Sequence, residues 1–578
     1  MPPPFAPITE NQGKKVRGEF FLPILLGAVA FLILLGPEVL PPWRDGWLTT
    51  DRDFATFHLS WMYYRDTPWS WPPAANPRYG IELGSSIFYG DLVPLIAMPM
   101  KALAQVLPVG QFVGAWFLVC FVLQAVFAWA LLARPGVDRT ARVAGCVLLL
   151  FAPFLVYRIY QHVSLVAQWI VLAALWLALR PERPRRALPW AALVALGSLL
   201  NAYLLVMVAA IWAADWLRRL AAGPRWALLP EAMAMPLIAV AGVWLGGYFF
   251  IAAGLPWGDG YGAIGMDLLG PLTAGYSSLL LPDWPPQPLH EGRAVFLGAG
   301  GLVVLLGAAA ALAWRPAALG GLERFWALGL AILALFAIAV THRVMVAGQL
   351  AFELPIPGWA LALLEPLRSS NRFAWPGLYA VLVLAVVLVA RVLPKAVSAR
   401  VLMLAAGLQV GDTANWWVPN RNTLAAEPAG WTTTLVAPFW AEARGRYRRL
   451  RQVMPTGQPT FMDPAGQDGW AMLARYAHDN GWDTDVSYHA RVAAEARARL
   501  WAETRRRIAE RDWEAGTLYV VQTAMHDAMR AAAIQDRDLF AEIDGITVFA
   551  PGWHAAPTAA TPAAVTPPPV TPAAARAP

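Results

Sequence analysis

The sequence predicts an α-helical polytopic membrane protein that ends in a small α/β domain. Of its 578 residues, 58% are hydrophobic and only 14% are charged, whereas a soluble protein carries about 25% charged residues. After residue 417 the apolar runs shorten and the charge rises. We therefore expect about eleven transmembrane helices, juxtamembrane helices in the first outer loop, and a separate C-terminal domain.

Eleven apolar runs are long enough, or nearly so, for the roughly 20 residues that cross a bilayer. They are residues 20–35, 111–133, 141–157, 163–179, 187–200, 202–217, 227–251, 294–314, 324–341, 373–392 and 401–416. The two runs beside Asn201 also fit one long bent helix. Cys120 and Cys146 lie inside apolar runs, so we interpret them as buried packing residues rather than metal ligands or a disulfide.

The charges between these runs predict which loops face the cytoplasm. Lys14, Lys15 and Arg17 precede the first run, which lacks a small-residue cleavage site, so we expect an uncleaved span and a cytoplasmic N-terminus at residues 1–19. The basic loops contain Arg134, Arg139 and Arg142; Arg180, Arg183, Arg185 and Arg186; Arg218, Arg219 and Arg225; Arg315 and Arg324; and Arg391, Lys395 and Arg400. All five are cytoplasmic if the chain has eleven spans and a helix near residues 91–105 lies along the outer surface.

This topology predicts a membrane protein that works on its outer face. The transmembrane domain takes residues 20–417 and includes a long first outer loop at residues 36–110. The net charge of +7 does not indicate nucleic-acid binding, because the basic residues lie mostly between apolar runs, where the positive-inside rule accounts for them.

The soluble end is expected to be a periplasmic α/β domain at residues 418–553. TLYVVQ (517–522) and ITVF (546–549) have the composition of buried strands, and residues 490–510 have helical apolar spacing. Residues 554–578 are rich in Pro, Ala and Thr and cannot bury a core, so we expect a disordered tail.

The first outer loop concentrates carboxylates, arginines and tryptophans in LTTDRDFATFHLSWMYYRDTPWSWPP (48–73). A partly desolvated aspartate is a stronger base because burial raises its pKa, and arginines bind phosphate bidentately. Tryptophans stack on sugar rings or anchor helices at the membrane interface. Asp66 follows Arg65 directly and is most simply a solvated loop charge.

A second carboxylate, Asp91, closes this loop. It lies where the short surface helix is expected to begin, so it fits the role of an N-cap that accepts hydrogen bonds from exposed amides. It also fits a cleft shared with Asp53, in which each carboxylate tunes the protonation of the other.

Several local sequences carry a resemblance to known membrane proteins. They are Asp53 with Trp61 and Tyr64-Arg65; Pro68-Trp69; Asn76-Pro77-Arg78-Tyr79-Gly80; Gly84-Ser85-Ser86-Ile87; Asp91 with Pro94-Leu95; His162 with Gln168-Trp169; Glu291-Gly292 with Leu297-Gly298; Arg368-Ser369-Ser370-Asn371-Arg372-Phe373; and Tyr488, Ala490 and Arg491. Through these sequences the chain is similar to a bacterial family of multi-pass proteins known mainly as a domain of unknown function. More broadly, a long first outer loop with an aspartate just past the first span, followed by a surface helix that opens with a proline, resembles the GT-C superfamily of integral-membrane glycosyltransferases.

The resemblance implies a GT-C-like fold in the cell envelope and an active site on the periplasmic face. Such an enzyme takes a sugar from a polyprenyl-phosphate donor and inverts its anomeric centre, and its acceptor is a glycan, a lipid or a protein. The role of general base falls on Asp53, with Asp91 as the second carboxylate and Asp51 as the near competitor. Asp51 and Asp53 are DxD-like but have no further carboxylates beside them, so a divalent cation is left open and no metal ligand is assigned.

The leaving lipid phosphate needs positive charge where the bond breaks. Candidate groups for the carrier phosphate are Arg158, His162, Glu291, Arg293, Arg368 and Arg372, and candidate contacts to acceptor or sugar are Asp51, His58, Trp61, Trp69 and Tyr89. Each has a simpler interpretation. Arg158 and His162 fit a turn between two helices, Arg368 and Arg372 fit snorkelling anchors, and Glu291 fits an ion pair with Arg293.

Two other classes of function are open. A transporter or flippase for a lipid-linked glycan would place ionisable residues near the bilayer midplane, whereas this chain keeps its acidic residues mostly in outer loops. A non-catalytic scaffold would use the outer domain to bind a partner. Gly298-Ala299-Gly300-Gly301 lies inside an apolar run, which favours close helix packing over a nucleotide loop.

Overall fold

A computed structural model describes residues 19, 21–180, 185–223, 225–250, 260–274, 278–282, 292–457, 459 and 469–555. The first part of the chain is a helical body. Its helices are α1 (Phe21–Leu34), α2 (Arg52–Asp66), α3 (Pro94–Leu103), α4 (Val113–Leu132), α5 (Arg139–Leu150), α6 (Pro153–Val156), α7 (Trp169–Ala178), α8 (Ala187–Leu200), α9 (Ala202–Ala222), α10 (Leu229–Leu245), α11 (Ala299–Trp314), α12 (Trp326–Val340), α13 (Gly358–Leu364), α14 (Trp375–Val392), α15 (Lys395–Asp412) and α16 (Ala414–Ala426). Between α12 and α13 a hairpin pairs β1 (Arg343–Val346) with β2 (Gln349–Glu353).

Each apolar run contains a helix, because long apolar sequences satisfy their own backbone hydrogen bonds in this form. Within the described part of the chain, four helices combine the length and the apolar composition needed to cross a membrane, and a bent pair would make a fifth. The four are Val113–Leu132, Trp226–Leu245, Pro316–Val340 and Ser370–Val392, and the bent pair is Arg139–Leu150 with Pro153–Tyr160. The chain is therefore a helical protein with several apolar helices that could span a membrane.

Two local interpretations are decided by helix packing. Helices α8 and α9 pack against each other, so the chain reverses at Asn201 and does not form one bent helix. Asn201 caps α9 by accepting a hydrogen bond from Tyr203 N at 2.9 Å. A Cβ atom at Gly300 would collide with the backbone oxygen of Ala405, which confirms that the glycines let α11 approach α15 closely.

The C-terminal part is a mixed sheet with helices. Its elements are α17 (Pro438–Arg446), β3 (Arg449–Gln452), α18 (Gly469–Asp479), β4 (Asp483–Thr484), α19 (Ala494–Glu510), β5 (Thr517–Val520), α20 (His526–Ala532), β6 (Leu539–Ile543) and β7 (Ile546–Ala550). The strand order is β4-β3-β5-β7-β6; β3 is parallel to β4 and β5, and β7 is antiparallel to β5 and β6. The two strands and the helix that the sequence predicts correspond to β5, β7 and α19. The Pro/Ala/Thr tail lies outside the described residues from 556 onward.

Helix α2 packs on both parts of the protein. Phe54, Phe57 and Trp61 belong to the core of the helical body, whereas Leu59 and Tyr63 belong to the core of the C-terminal domain. These residues alternate around the helix at the spacing that gives it two apolar faces. The C-terminal domain therefore helps to fix the position of α2.

Polar contacts also join the region around α2 to the C-terminal domain. Asp45 accepts hydrogen bonds from Trp431 N at 3.0 Å and from Arg475 Nη1 at 3.2 Å, and its Oδ2 lies 3.1 Å from His58 Nε2. Tyr79 forms a parallel bridge with Thr484 of β4. The segment between α2 and α3 thus extends the sheet of the C-terminal domain at its edge.

We predict that Asp45→Ala loosens the C-terminal domain. The change leaves the buried His58 and the part-buried Arg475 without this acceptor, which should lower the free energy of unfolding by about 2–3 kcal/mol. Asp479→Ala is the matched control, because Asp479 pairs with the same arginine at 2.9 Å but has a half-exposed side chain, a pair worth less than about 1 kcal/mol. Thermal unfolding of the detergent-purified protein measures both; equal losses would contradict the prediction.

Candidate active site

Asp53 is placed by the first turn of α2. Asp51 is the N-cap, and its Oδ1 accepts a hydrogen bond from Asp53 N at 2.8 Å. An aspartate is a preferred N-cap because its short side chain reaches the unpaired amides of the first turn. The positive end of the helix dipole also favours the negative charge of Asp53 at this position.

His162 holds one oxygen of Asp53. Its Nδ1 lies 2.7 Å from Asp53 Oδ2, and the two side chains are 24% and 33% exposed. His162 follows the short helical turn Arg158–Tyr160, so this contact joins the first turn of α2 to the turn that follows α6. With a third of its side chain exposed, Asp53 can be reached from solvent.

Two buried arginines complete the charge around Asp53. The Arg158 side chain is fully buried and Arg372 is 6% exposed; their guanidinium groups lie over the rings of Tyr157 and Tyr203, at 5.0 and 4.9 Å. Arg372 belongs to the turn Ser370–Ala374 that precedes α14. Its burial rules out the snorkelling interpretation for this residue.

The electrostatics of Asp53 differ from the sequence expectation. Burial acts to raise its pKa, but His162, Arg372 and Arg158 together hold the pKa of Asp53 below its ordinary value. The prediction that desolvation makes Asp53 a stronger base is therefore wrong, because the combined effect of these three groups outweighs that of burial. Asp53 is a carboxylate at neutral pH.

Asp51 behaves in the opposite way. Burial, reinforced by the negative charge of Asp53, raises the pKa of Asp51 to about 6. The two neighbouring carboxyl groups thus have pKa values on opposite sides of the ordinary value, which is the pattern expected when like charges share a site.

Asp91 lies in the same group and is not an N-cap. Helix α3 begins at Pro94 with Val93 as its cap residue, so the capping interpretation of Asp91 is wrong. Instead, Asp91 Oδ1 accepts a hydrogen bond from Ser164 Oγ at 2.6 Å, and burial raises the pKa of Asp91 while His162 acts to lower it. Its Oδ2 is buried and has no hydrogen-bond partner among the described residues.

Two residues of this group are absent from the sequence-based assignment. Ser164 donates to Asp91, and Asn201 Nδ2 donates to Ser164 Oγ at 2.9 Å. Their only sequence signal is polarity where apolar residues prevail, since Ser164 lies inside one predicted span and Asn201 lies between two others. The chain Asn201, Ser164 and Asp91 fixes the second carboxylate to the helical body.

Several predicted contact residues lie in other surroundings. His58 is buried beside Asp45 and stacks on Trp431, and Trp61 is buried, with Nε1 donating to Gly110 O at 2.9 Å. The Tyr89 hydroxyl donates to Tyr248 O at 2.7 Å. These contacts occupy the polar atoms of Trp61 and Tyr89 and give His58 a packing position at the interface with the C-terminal domain.

Asp66 is the last residue of α2, and Trp69 lies three residues beyond it. A helix of 15 residues is about 22 Å long, so Asp66 lies far from Asp53. The ring of Trp69 lies 6.3 Å from that of Tyr64, near the same end of the helix. Trp69 is 48% exposed and its ring lies 4.7 Å from Lys101 Nζ. Asp66 is not simply a solvated charge, because it accepts two hydrogen bonds from Arg65 at 2.7 Å and its Oδ2 lies 2.9 Å from His478 Nε2.

The remaining predicted phosphate ligands are less well placed or lie outside the described residues. Arg368 is half-buried, and its backbone oxygen accepts a hydrogen bond from Ile264 N at 3.3 Å; the strongest cationic influences on Asp53 come from His162, Arg372 and Arg158. Glu291 and the side chain of Arg293 fall outside the described part of the chain. Among the described residues, no group of three or more His, Cys, Asp or Glu could hold a metal ion.

We predict that Asp51→Asn does not destabilise the protein at pH 8. The amide oxygen can still cap α2, and the change removes the repulsion of Asp53. Because the pKa of Asp51 is raised from 3.8 to about 6 by folding, the wild type loses stability relative to the variant as pH rises through this window. Thermal unfolding at pH 4.5 and pH 8 measures the difference.

Asp51→Ala is the matched comparison, since it also removes the charge but leaves the amide of Asp53 without its cap, at a cost of about 1 kcal/mol. An Asn variant that is as unstable as the Ala variant at pH 8 would show that the charge, not the cap, is what the fold requires at this position.

Comparison with known families agrees with the sequence resemblance at the level of the family. A comparison with curated proteins finds no match. The family described as "Domain of unknown function (DUF6311)" matches residues 24–414, and the "DUF6311 C-terminal domain" matches residues 439–551. Since the first match alone covers more than half of the chain, the protein belongs to the DUF6311 family.

Proposed function

We propose that this protein is a GT-C-like membrane glycosyltransferase that transfers a sugar from a polyprenyl-phosphate donor to an acceptor, with inversion of the anomeric centre. The observation that carries the proposal is the convergence of Asp53, Asp91 and His162 with the buried cations Arg158 and Arg372. Transfer from a lipid phosphate requires both halves of this group: a carboxylate that takes the acceptor proton, and positive charge that stabilises the departing phosphate.

The proposed topology has eleven spans, a cytoplasmic N-terminus and a periplasmic Asp53 site in the bacterial inner membrane. It is supported by the helices found at every predicted span and by the distribution of charge. Arg134, Arg180 and Arg324, from three predicted cytoplasmic loops, interact electrostatically, and Arg134 and Arg391, from a fourth such loop, line one cavity. The Asp53 group comes from the loops on the other side of the spans.

In the proposed reaction, Asp53 Oδ1 accepts the proton of the acceptor hydroxyl while the acceptor oxygen bonds to the anomeric carbon. The bond between that carbon and the phosphate oxygen breaks, and the oxygen keeps the electron pair. Arg158 and Arg372 bind the resulting lipid phosphate, because guanidinium groups match its geometry and charge. The exchange balances without a further reactant.

The lowered pKa of Asp53 sets when the proton moves. A weak base takes a proton only when the acceptor oxygen has become acidic, which happens once its bond to the anomeric carbon has largely formed. His162 keeps Asp53 ionised and fixes the position of its carboxylate, and Asp91, held by Ser164, contributes the second carboxyl group beside it.

We predict that Asp53→Asn lowers sugar transfer by 10²–10⁴-fold, the range that loss of a general base produces. Asn has the shape of Asp but cannot take the proton. Asp66→Asn is the matched control on the same helix and should retain transfer, because Asp66 lies at the opposite end of α2 and pairs with Arg65 and His478.

The assay incubates membranes that contain each variant with radiolabelled polyprenyl-phosphate glucose, mannose, galactose or arabinose and measures new glycosidic product. An Asp53→Asn protein that inserts normally and transfers sugar at the wild-type rate would remove the assignment. Movement of the labelled lipid across the membrane without a new glycosidic bond would favour a flippase. If the protein neither moves the lipid nor forms a glycosidic bond, a scaffold is favoured.

We also predict the pH dependence of transfer. If Asp53 is the base, transfer depends on a group whose pKa lies below 3.8, so the rate should show no acid limb near pH 6. If Asp51 is the base instead, the rate should fall as pH drops through about 6, and Asp51→Asn should abolish transfer. The pH profile of kcat/KM for the wild type and Asp51→Asn separates the two carboxylates.

A further inference from the structure

A second charged site lies at the basic end of the helical body. A cavity of about 480 Å³ is enclosed by the ends of α4, α5, α14 and α15 together with Glu19. Its basic lining residues are Arg134, Arg139, Arg142, Arg391 and Lys395. They come from two loops that are about 250 residues apart in sequence. Folding brings these cations close together, where they repel each other unless an anion lies between them.

Two of these arginines are largely removed from water. Arg134 and Arg142 are each 7% exposed, and the guanidinium of Arg142 lies 4.9 Å from the ring centre of Trp129. Arg142 Nη1 donates to Glu19 Oε2 at 3.0 Å, whereas its buried Nε has no hydrogen-bond partner among the described residues. A buried guanidinium donor is costly unless an anion accepts its hydrogen bond.

The two acidic lining residues already have partners. Asp138 Oδ1 accepts a hydrogen bond from Ala141 N at 2.9 Å and caps α5, and Glu19 pairs with Arg142. Five basic side chains therefore face two carboxylates, and the cavity carries an excess of positive charge.

The N-terminus of α15 adds to this charge. The helix begins at Lys395 after Pro394, and no side chain caps it; Lys395 and the buried Ser398 of its first turn both line the cavity. The unpaired amides of an uncapped first turn and the helix dipole both favour an anion at this position.

We propose that this cavity binds a phosphate group, either that of an anionic phospholipid headgroup or that of a soluble phosphate. The site is separate from the Asp53 group, because α5 and α6 place about 25 Å of helix between Arg139 and Arg158. A volume of about 480 Å³ lies within the range of small-molecule sites and exceeds what a lone phosphate requires, so it accommodates a headgroup.

The test uses the full-length protein, purified in uncharged detergent and stripped of lipid. Affinities are measured for dihexanoylphosphatidylglycerol, for dihexanoylglycerol, which lacks the phosphate, and for inorganic phosphate. Lys395→Glu and Arg139→Glu reverse the charge of two exposed lining residues, so folding should be preserved. Arg400→Glu is the matched control, because Arg400 is an exposed cation of the same helix α15 that does not line the cavity.

We expect phosphatidylglycerol to bind and dihexanoylglycerol to bind at least about tenfold more weakly, with each lining variant losing about tenfold in affinity for the phosphate ligand. Binding of phosphatidylglycerol alone identifies the headgroup as the source, and equal binding of inorganic phosphate identifies a soluble phosphate. The proposal is overturned if neither phosphate compound binds, if dihexanoylglycerol binds as well as phosphatidylglycerol, or if Arg400→Glu weakens binding as much as Lys395→Glu does.

Discussion

The contact between Asp53 and His162 is the interaction on which the rest of the site depends. It joins the first turn of α2 to the turn after α6 across 2.7 Å. Without this contact, Asp53 would be a carboxylate at the start of a helix, and the buried Arg158 and Arg372 would be cations with no defined relation to it. The pair also explains why Asp53 stays ionised despite its burial.

The support for this contact comes from both parts of the chain. Helix α2 shares residues with the core of the helical body and with the core of the C-terminal domain, and Asp45 ties its surroundings to Arg475 and Trp431. A catalytic group needs to be held within a fraction of an ångström of its working position. The C-terminal domain contributes to that rigidity, and this gives it a role in the proposed reaction that does not require it to touch the substrate.

The helices and part of the candidate site could be predicted from the sequence, and the remaining contacts could not, for physical reasons. Apolar run length is a local property, so the helices and the strands β5 and β7 could be predicted. Asp53, His162, Arg158 and Arg372 could be proposed because charges beside apolar runs are costly and conspicuous. The hydrogen-bond partner of Asp91 could not be predicted, since Ser164 lies 73 residues away and no local pattern encodes that contact. The same holds for the pKa of Asp53, whose direction depends on cations brought in by tertiary packing.

The two ends of the helical body carry different sets of charged residues. One end gathers basic loops around a cavity, and the other combines carboxylates with buried arginines. The most direct test of the central claim is a cryo-electron microscopy structure with a non-hydrolysable polyprenyl-phosphonate sugar. The account predicts the phosphonate in contact with Arg158 and Arg372 and the anomeric carbon facing Asp53 Oδ1. Density for the phosphonate at any place out of reach of both arginines, with Asp53 facing no sugar, would contradict it.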